Sequence, residues 1–381
     1  MYLPILISYY LLIQRVVSQS SCTTPKGFNG ECIHIKKCPR HMDILRKSRP
    51  ISNEEMNFLK SSHCGFVGRF PLVCCQIKKM ESSVVRVDED EESIVEPPDV
   101  SDHPNLALLD HEECGQMTVP KIMGGNRAGL FEYPWMALIA YDIKKRGNQF
   151  KCGGTIINRR YILTAAHCVT GLPENMSVAG VRIGDHNLGT ECDCDVDMNN
   201  EIVVCAEKYQ DYRIENVHFH PEYTTSTIHN DIALIRLDRN ANLTVKNAKP
   251  ICLPIGTGSA IPGKRMTVTG WGSTEEGPRS QYLLHVSMLP LENKECRQIY
   301  QNVTLIWQKQ MCVGGEAGKD SCLGDSGGPL QAPGIYYNKR YKYMQYGIVS
   351  FGPGSCGKEG FPGVYTRVVY YLDWILDTIR P

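Results

Sequence analysis

The stretch Asp320–Pro329 reads Asp-Ser-Cys-Leu-Gly-Asp-Ser-Gly-Gly-Pro, and it constrains the fold of this 381-residue chain more than any other stretch. Two shorter stretches precede it: Leu163–Cys168 reads Leu-Thr-Ala-Ala-His-Cys, and His229–Leu234 reads His-Asn-Asp-Ile-Ala-Leu. Taken singly, each could be a structural turn or the start of a strand. Together they place a histidine, an aspartate and a serine in this order, 64 and 95 residues apart, and that combination predicts catalytic chemistry.

These three residues would form an activated nucleophile. A serine hydroxyl is a weak nucleophile at neutral pH and needs a base within hydrogen-bond reach. A histidine can accept that proton near physiological pH, and a buried carboxylate fixes its tautomer and stabilises the imidazolium. We therefore predict Ser326 as the nucleophile, His167 as general base and then general acid, and Asp231 as the carboxylate that orients the imidazole.

Around these stretches, residues 122–381 consist of short apolar runs broken by glycine, proline and asparagine. Runs such as Trp135–Ala140, Ile232–Leu237 and Tyr346–Ser350 predict strands of an all-β fold. The end of the chain differs, because apolar residues recur there every three to four positions, at Val368, Leu372, Ile375, Leu376 and Ile379. That spacing predicts an amphipathic terminal helix.

Over residues 122–381 the sequence resembles the chymotrypsin-like serine proteases. The resemblance implies two six-stranded antiparallel β-barrels, an active site in the cleft between them and a C-terminal helix. It also implies that the Gly324 and Ser326 amides form an oxyanion hole, since glycines let the backbone turn its amides inward. Each such donor stabilises the transition state by roughly 3–4 kcal/mol.

The same resemblance implies trypsin-like specificity. Asp320 stands where the family has the floor of its primary pocket, and a carboxylate there pairs with a lysine or arginine side chain. Gly352 and Gly363 would form the pocket walls, while Ser350, Phe351 and Gly352 would pair their backbone with the substrate. Phe351 stands where the family usually has tryptophan.

The stretch Lys121–Gly125 reads Lys-Ile-Met-Gly-Gly and resembles the activation site of the family. Cleavage after Lys121 would free the amine of Ile122, which would insert and pair with Asp325. Because breaking a buried ion pair costs on the order of 3–5 kcal/mol, the uncut chain is expected to be an inactive zymogen. Met123 replaces the usual valine.

Seventeen cysteines are the unusual feature of the composition, and their odd number rules out complete internal pairing. Six of them fall in residues 22–75, a segment too small for a generous core, and the repeated C-x-x-C pairs of a zinc ribbon are absent. Spacing alone leaves fifteen connectivities open. With its closing stretch Phe70–Cys75, the segment resembles the clip domain of arthropod serine proteases.

The two resemblances imply a set of disulfides. In the clip domain they are Cys22–Cys74, Cys32–Cys64 and Cys38–Cys75, and in the catalytic domain Cys152–Cys168, Cys296–Cys312 and Cys322–Cys356. A further bridge, Cys114–Cys252, would hold the two parts together after activation. Cys192, Cys194 and Cys205 share one loop, where we expect Cys194–Cys205 with a free Cys192, and Cys192–Cys205 is the near alternative.

We expect the chain to be secreted. Residues 1–18 hold an apolar core of about a dozen residues, shorter than the ~20 that span a bilayer, followed by small residues. We interpret this segment as a signal peptide, the alternatives being a buried strand or a short anchor. Asn175, Asn242 and Asn302 stand in glycosylation sequons, which agree with secretion.

The remaining composition is ordinary. Residues 21–75 would form the clip domain, and residues 76–121, with the acidic run Asp88–Glu92, read as a flexible acidic linker or, less simply, a docking tail. Lys plus Arg and Asp plus Glu both number 41, so no net charge favours nucleic-acid binding. No later stretch is long and apolar enough for a membrane span, so we expect neither nucleic acid nor membrane as a partner.

One loop could hold a metal. Asp185, Asn187, Thr190 and Asp193 lie where the resembled family often binds calcium, and oxygen ligands suit that hard cation. The loop is also acidic at Glu191, Asp195 and Asp197, which a solvated surface would explain equally well. Structural Ca²⁺ therefore stays an expectation, and catalysis is expected to need no cofactor.

The order of clip segment, linker and protease domain resembles that of proteases in insect haemolymph cascades. Within that group the catalytic domain most resembles the Grass-like enzymes of the Toll pathway, through stretches such as Ile251–Ile255 and Trp374–Thr378. The expected function is a secreted trypsin-like zymogen in innate immunity, acting in Toll activation or melanisation. Its partners would be an upstream trypsin-like activator, a downstream clip zymogen or pro-protein, and a serpin. The alternatives are a catalytically inactive clip homologue, which typically has glycine at position 326, and a digestive trypsin.

Overall fold

The computed structural model describes residues 21–25, 27, 29–35, 38, 41, 44–45, 51–67, 70–76, 95–117, 127–144, 147–197, 199, 201–256, 265–274, 277, 279–301, 303–318, 324–336, 340–353 and 356–381. The chain divides into two compact units, residues 1–92 and 93–381. The expected signal peptide, residues 1–18, lies outside the described residues.

The first unit is a four-stranded antiparallel sheet with one helix. Its strands are β1 (Ser21–Thr23), β2 (Asn29–His34), β3 (His63–Val67) and β4 (Phe70–Gln76), in the order β1-β2-β4-β3. Helix α1 (Asn53–Ser61) begins with a capping box, in which the Ser52 hydroxyl accepts from the Glu55 amide and the Glu55 carboxylate accepts from the Ser52 amide. Two backbone donors at the helix start are thereby satisfied.

Three disulfides hold this unit together. They are Cys22–Cys74, Cys32–Cys64 and Cys38–Cys75, the pairs that the clip resemblance implies. Helix α1 has no fully buried side chain, so its own packing adds little to the stability of the unit. Bridges that close loops of this length stabilise a fold by about 4 kcal/mol each through the entropy of the unfolded chain.

The second unit is built from strands. They are β5 (Met136–Ile143), β6 (Gly147–Ile156), β7 (Tyr161–Thr164), β8 (Met176–Ile183), β9 (Cys194–Val196), β10 (Ile202–Cys205), β11 (Gln210–Tyr212), β12 (Ile214–Phe219), β13 (Ala233–Leu237), β14 (Met266–Gly270), β15 (Leu284–Met288), β16 (Pro290–Leu291), β17 (Gln310–Gly314), β18 (Pro329–Ile335), β19 (Tyr341–Phe351) and β20 (Pro362–Arg367). Two α-helices, α2 (Asn293–Tyr300) and α3 (Leu372–Thr378), and 3-10 turns at Pro104–Leu108, Ala166–Cys168 and Val368–Tyr371 complete it.

These strands form two antiparallel sheets and a hairpin, β9-β10. One sheet has the order β11-β8-β5-β6-β7-β13-β12, and the other β15-β14-β18-β19-β20-β17-β16. Seven strands stand where six were expected, because in each sheet a single residue, Arg213 or Leu289, interrupts one continuous run. The two halves of that run pair at opposite ends of the sheet and so close a barrel. The all-β double-barrel prediction is confirmed.

The barrel interiors are apolar. Trp135, Ile139, Ile162 and Leu234 are fully buried in the first barrel, and Met266, Leu330, Met344 and Tyr365 are buried in the second. The predicted terminal helix is confirmed as α3 with the turn before it. Its five periodic apolar residues are all buried in the same core cluster as the first barrel. Each such side chain contributes about 1.5–3 kcal/mol of hydrophobic stabilisation.

Residues 95–117 differ from expectation, because they are not a flexible linker. Val100, Leu106 and Leu109 are buried in the first-barrel core, and Lys342 Nζ donates to the carbonyls of His111 and Glu112, both at 2.7 Å. The linker interpretation of residues 76–121 is therefore wrong for this stretch. The prediction rested on the acidic composition of the preceding residues and gave too little weight to the three apolar residues, which are buried in the structure.

The cysteines of the second unit are paired around these elements. The structure contains Cys114–Cys252, Cys152–Cys168, Cys194–Cys205 and Cys296–Cys312. Cys356 is also disulfide-bonded, and its expected partner Cys322 lies outside the described residues. Cys192 is exposed and free. The structure thus favours Cys194 over Cys192 as the partner of Cys205.

Among the residues that the structure describes, no helix has both the length and the apolar composition that crossing a membrane requires.

Candidate active site

His167 and Asp231 are brought together by two neighbouring strands. His167 lies in the 3-10 turn after β7, and Asp231 lies two residues before β13, which pairs with β7 so that Ala233 faces Thr164. The Asp231 carboxylate accepts from the His167 amide through Oδ1 at 2.9 Å and from His167 Nδ1 through Oδ2 at 2.8 Å. With Nδ1 bonded in this way, the imidazole is fixed in orientation and Nε2 remains as the base.

Asp231 is completely buried, with 0% of its surface exposed. Besides the two His167 donors, the Ser350 hydroxyl donates to its Oδ2 at 2.5 Å, and the Thr366 hydroxyl donates to its backbone carbonyl at 2.8 Å. A buried carboxylate without such donors would cost several kcal/mol. Ser350 was predicted to line the substrate pocket, but its side chain contacts Asp231 and is only 6% exposed.

The surroundings of His167 shift its pKa in two directions. Burial disfavours the imidazolium and alone would lower the pKa, whereas the charge of Asp231 and its hydrogen bond favour the imidazolium. The net effect raises the pKa above the ordinary value of 6.5. The ring therefore holds a proton more readily than a free imidazole does, which suits a base that must keep the serine proton during the reaction.

The backbone of Ser326 is tied to the strand next to His167. Its carbonyl accepts from the Gly153 amide at 2.8 Å, and the neighbouring Cys152 is bridged to Cys168, next to His167. Gly327 has φ 78° and lies so close to Thr164 that a Cβ there would collide with the Thr164 hydroxyl. Within the described chain no hydrogen bond joins Ser326 Oγ to His167 Nε2, a contact that often tightens only with substrate bound.

The predicted oxyanion hole lies in the same turn. Gly324 adopts φ 105°, which favours glycine, and so turns the backbone in front of Ser326. In the described part of the chain the amides of Gly324 and Ser326 donate to no protein acceptor, so both can donate to a substrate oxygen.

The predicted pocket is described only in part. A Cβ on Gly352 would lie 3.9 Å from the Cα of Gly363, so the two glycines are direct neighbours and no side chain stands at either position. Phe351 stacks edge-on against Tyr300 at 5.8 Å. Asp320, the expected pocket floor, lies outside the described residues, as do Lys121 and Ile122 of the expected activation site.

Asp325 lies at a cavity of about 820 Å³. Its Oδ1 accepts from the Gly272 amide at 2.8 Å, and a Cβ on Gly270 or Gly272 would overlap its carboxylate. Arg279 lines the same cavity.

The expected calcium loop is braced by its own hydrogen bonds. Asp193 accepts from the amides of His186 and Asn187 and from the Thr190 hydroxyl, and Asp185 Oδ2 accepts from Arg182 at 3.2 Å. Asp185 Oδ1 is buried and has no hydrogen-bond partner among the residues that the structure describes. Burial raises the pKa of Asp185 to about 6, with Arg182 opposing the shift and Asp193 adding to it. An unpartnered carboxylate oxygen beside a second carboxylate suits a hard cation.

Two of the three sequons are described. Asn175 and Asn242 are exposed, and Asn302 lies outside the described residues.

Sequence reasoning missed the residues that support Asp231. Thr366 and Tyr371 are polar positions inside apolar runs, and the Tyr371 hydroxyl donates to Asn230 Oδ1 at 3.1 Å. No spacing rule connects them with Asp231, since they lie 135 and 141 residues beyond their partners. A hydroxyl inside an apolar run was the one signal that the sequence offered.

Comparison with known proteins gives consistent results. Residues 122–375 match the trypsin family, and residues 22–75 match the regulatory CLIP domain of proteinases. The chain is 36% identical to "Serine protease ea" of Drosophila melanogaster, covering 96% of this chain and 92% of that protein. It is 37% identical to "Phenoloxidase-activating factor 1" of Holotrichia diomphalia, with coverage of 98% and 97%. The crystal structure of the Drosophila Grass clip serine protease of the Toll pathway aligns with TM-score 0.65 and 33% identity, over 94% of this chain and 97% of that one.

The raised pKa of His167 predicts the acid limb of the activity profile. Because only the neutral imidazole accepts the serine proton, kcat/KM of the cut chain should fall as pH decreases, with a midpoint above 6.5. In Asp231→Asn the charge that raises this pKa is lost, so the residual activity should show a lower midpoint.

The profile is measured from pH 4.5 to 9 with one peptide amide. His218→Gln, which changes a histidine on β12 away from the pair, serves as control and should leave the midpoint unchanged. An acid midpoint below 6.5, or one that Asp231→Asn does not move, would contradict this assignment.

Proposed function

We propose that this chain is a secreted zymogen that, once cut, cleaves other proteins after arginine or lysine. The basis is that the chain belongs to the trypsin family of serine proteases and carries a regulatory clip domain. The chain is a serine endopeptidase. The observation that carries the proposal is the fully buried Asp231 carboxylate with two hydrogen bonds to His167, beside the tight turn that presents Ser326.

These residues divide the reaction into two steps. His167 Nε2 takes the proton of Ser326 as its oxygen attacks the scissile carbonyl, and the Gly324 and Ser326 amides stabilise the resulting oxyanion. The imidazolium then gives its proton to the leaving amine and leaves an acyl-enzyme. In the second step His167 takes a proton from water, which hydrolyses that ester and restores the serine. Asp231 orients the imidazole throughout and stabilises the imidazolium.

Specificity for basic residues rests on Asp320 and the glycine walls. Two neighbouring positions without side chains, Gly352 and Gly363, would leave space beside them for a long substrate side chain. A carboxylate at the pocket floor would pair with its charged end, whereas an apolar side chain would leave that carboxylate unpaired.

Activation by cleavage after Lys121 rests on the cavity at Asp325. A new amine at Ile122 would find there a carboxylate held by the Gly272 amide and two glycines that make room for it. The ion pair formed would order the turn from Gly324 to Ser326. The Cys114–Cys252 bridge and the buried residues of 95–117 would keep the cut chain in one piece.

The proposed setting is a haemolymph cascade of innate immunity. Relatives named for phenoloxidase activation and a structural neighbour of the Toll pathway support it. An upstream trypsin-like protease would cut the chain, and the product would activate a clip zymogen or a pro-protein and be stopped by a serpin. A catalytically inactive cofactor is the weaker alternative, because Ser326 and the His167–Asp231 pair are all present. Glycosylation at the exposed Asn175 and Asn242 would agree with secretion.

Replacing the cleavage-site lysine should prevent activation. Exposed to a trypsin-like activator, the full chain should gain a new terminus at Ile122 together with amidase activity, and Lys121→Gln should gain neither. Asp325→Asn should be cut at the same bond and stay inactive, because it lacks the ion pair, worth about 3–5 kcal/mol.

Amino-terminal sequencing and a peptide-amide assay follow both events. Lys144→Gln, at an exposed basic residue elsewhere, should behave as the wild type. Full activity in Lys121→Gln would refute this activation route.

Replacing the pocket carboxylate should change the substrate class. Asp320→Ser removes the partner of the basic side chain, so kcat/KM for an arginine substrate should fall by about a hundredfold or more, the effect of 2.7 kcal/mol or more. The kcat/KM for a matched phenylalanine substrate should fall far less. The nearby Glu316→Gln provides a charge-matched control. Equal turnover of arginine and phenylalanine substrates by the wild type would overturn the specificity proposal.

Calcium binding at Asp185 is proposed from its buried, unpartnered oxygen. Asp185, with Asn187, Thr190 and Asp193 nearby, would hold the ion and so neutralise the two carboxylates. Adding Ca²⁺ to chelator-treated protein should raise its melting temperature, and Asp185→Asn should remove most of that rise. Glu191→Gln, an exposed acid of the same loop, should keep it. No calcium-dependent rise in the wild type would mean that Arg182 alone neutralises the site.

A further inference from the structure

Every residue of the segment Thr227–Asp231 accepts a hydrogen bond from, or donates one to, a residue beyond position 300. The five hydrogen bonds run from Thr304 Oγ1 to Thr227 O (3.1 Å), from Gln310 Nε2 to Ile228 O (3.2 Å), from His229 Nε2 to Leu305 O (2.9 Å), from Tyr371 Oη to Asn230 Oδ1 (3.1 Å) and from Thr366 Oγ1 to Asp231 O (2.8 Å). Later parts of the chain therefore contact every residue of the segment that ends in Asp231, in addition to the bonds that Asn230 Nδ2 and the Ile228 amide make to Glu222 O and Thr224 O.

This segment also contains unfavourable backbone. Ile228 and Asn230 both have φ 55°, in the left-handed region. Asparagine tolerates that region, but a β-branched isoleucine does so rarely, because its side chain crowds the backbone. Such conformations persist only when the surrounding contacts hold them.

His229 lies between the two strained residues and supplies a side-chain contact to the later loop. Its ring stacks on Trp307 with centroids 4.6 Å apart and planes 13° apart. Because a carbonyl oxygen only accepts, His229 Nε2 carries the hydrogen that Leu305 O receives.

Trp307 is well placed to act as the support for this ring. Its indole nitrogen is buried without a hydrogen-bond partner in the described chain, so stacking rather than a polar bond fixes the ring. Its backbone amide points to Gln310 Oε1 at 3.4 Å, and Gln310 also donates to Ile228. The stack and the strained backbone therefore share one network.

We propose that His229 is a positioning residue for Asp231: by stacking on Trp307 and bonding to Leu305, it keeps the strained segment in the conformation that aims the carboxylate at His167. Without it, Ile228 and Asn230 can relax, and the carboxylate moves away from His167 Nδ1. The loss is then expected in the chemical step, because the hydrogen bond between Asp231 and His167 acts there. The activity test below rests on the proposed function, whereas the spectroscopic test does not.

The kinetic test uses full-length chain cut after Lys121 and a short arginine peptide amide. His229→Ala and Trp307→Leu should each lower kcat by about tenfold to a hundredfold, the effect of small misplacements of a catalytic group, with KM nearly unchanged. The double variant should be no worse than the more affected single one, because both break one contact. His229→Gln, whose amide can still donate to Leu305, should recover part of kcat.

Ser226→Ala, in the same loop and exposed, should match the wild type in both constants. A rise in KM alone, or additive losses in the double variant, would overturn the proposal in favour of a substrate-contact role or two independent structural roles.

The spectroscopic test needs no activity. In full-length Ser326→Ala, the proton between His167 Nδ1 and Asp231 should give a strongly downfield resonance, as expected for a short charge-assisted bond. Adding His229→Ala should shift it upfield or abolish it, while Ser226→Ala should not. An unchanged resonance in His229→Ala would refute the inference. If the cut wild-type chain hydrolyses nothing, the proposed function fails, and this resonance still decides the role of His229.

Discussion

The structure depends on one carboxylate that water does not reach. Asp231 is fully buried, and the protein must supply hydrogen-bond donors in place of solvent. His167 donates from the turn after β7, and Ser350 donates from β19 of the second barrel. The two barrels must therefore both be formed and correctly apposed before the Asp231 carboxylate has all of these donors. The contacts that hold the two barrels together here are thus also the contacts that orient the catalytic carboxylate.

A disulfide and a tight turn position the nucleophile Ser326 relative to His167 and Asp231. Cys152–Cys168 lies beside His167, and Gly153 on the same strand bonds the carbonyl of Ser326. Gly327 allows an approach to Thr164 that no other residue could make. The amino-terminal unit uses disulfides differently, because with little buried surface it relies on three of them for its stability. Among the described cysteines, Cys192 alone is free, and it is exposed.

Much of this could be predicted from local sequence, and the reasons for success and failure are physical. The strands followed from short apolar runs and the terminal helix from its period, because both patterns are local, whereas the two-barrel arrangement followed from the family resemblance. The triad residues followed from three motifs whose order and chemistry are specific. The contacts of Ser350, Thr366 and His229 were not predictable, because their partners lie 119, 135 and 76 residues away and no pattern records such pairings. The linker prediction was wrong for residues 95–117 for another reason. The acidic composition of the surrounding segment indicated a linker, although three apolar side chains in this stretch are buried.

The central claim is that the buried Asp231–His167 pair makes Ser326 a nucleophile once the chain is cut. Mass spectrometry of the cut and uncut chain after treatment with a fluorophosphonate, which reacts with activated serines, tests it most directly. The account predicts one phosphonyl group on Ser326 in the cut chain, almost none in the uncut chain, and none in cut His167→Ala. Labelling that ignores the cut, that falls on another serine, or that survives the loss of His167 would contradict it.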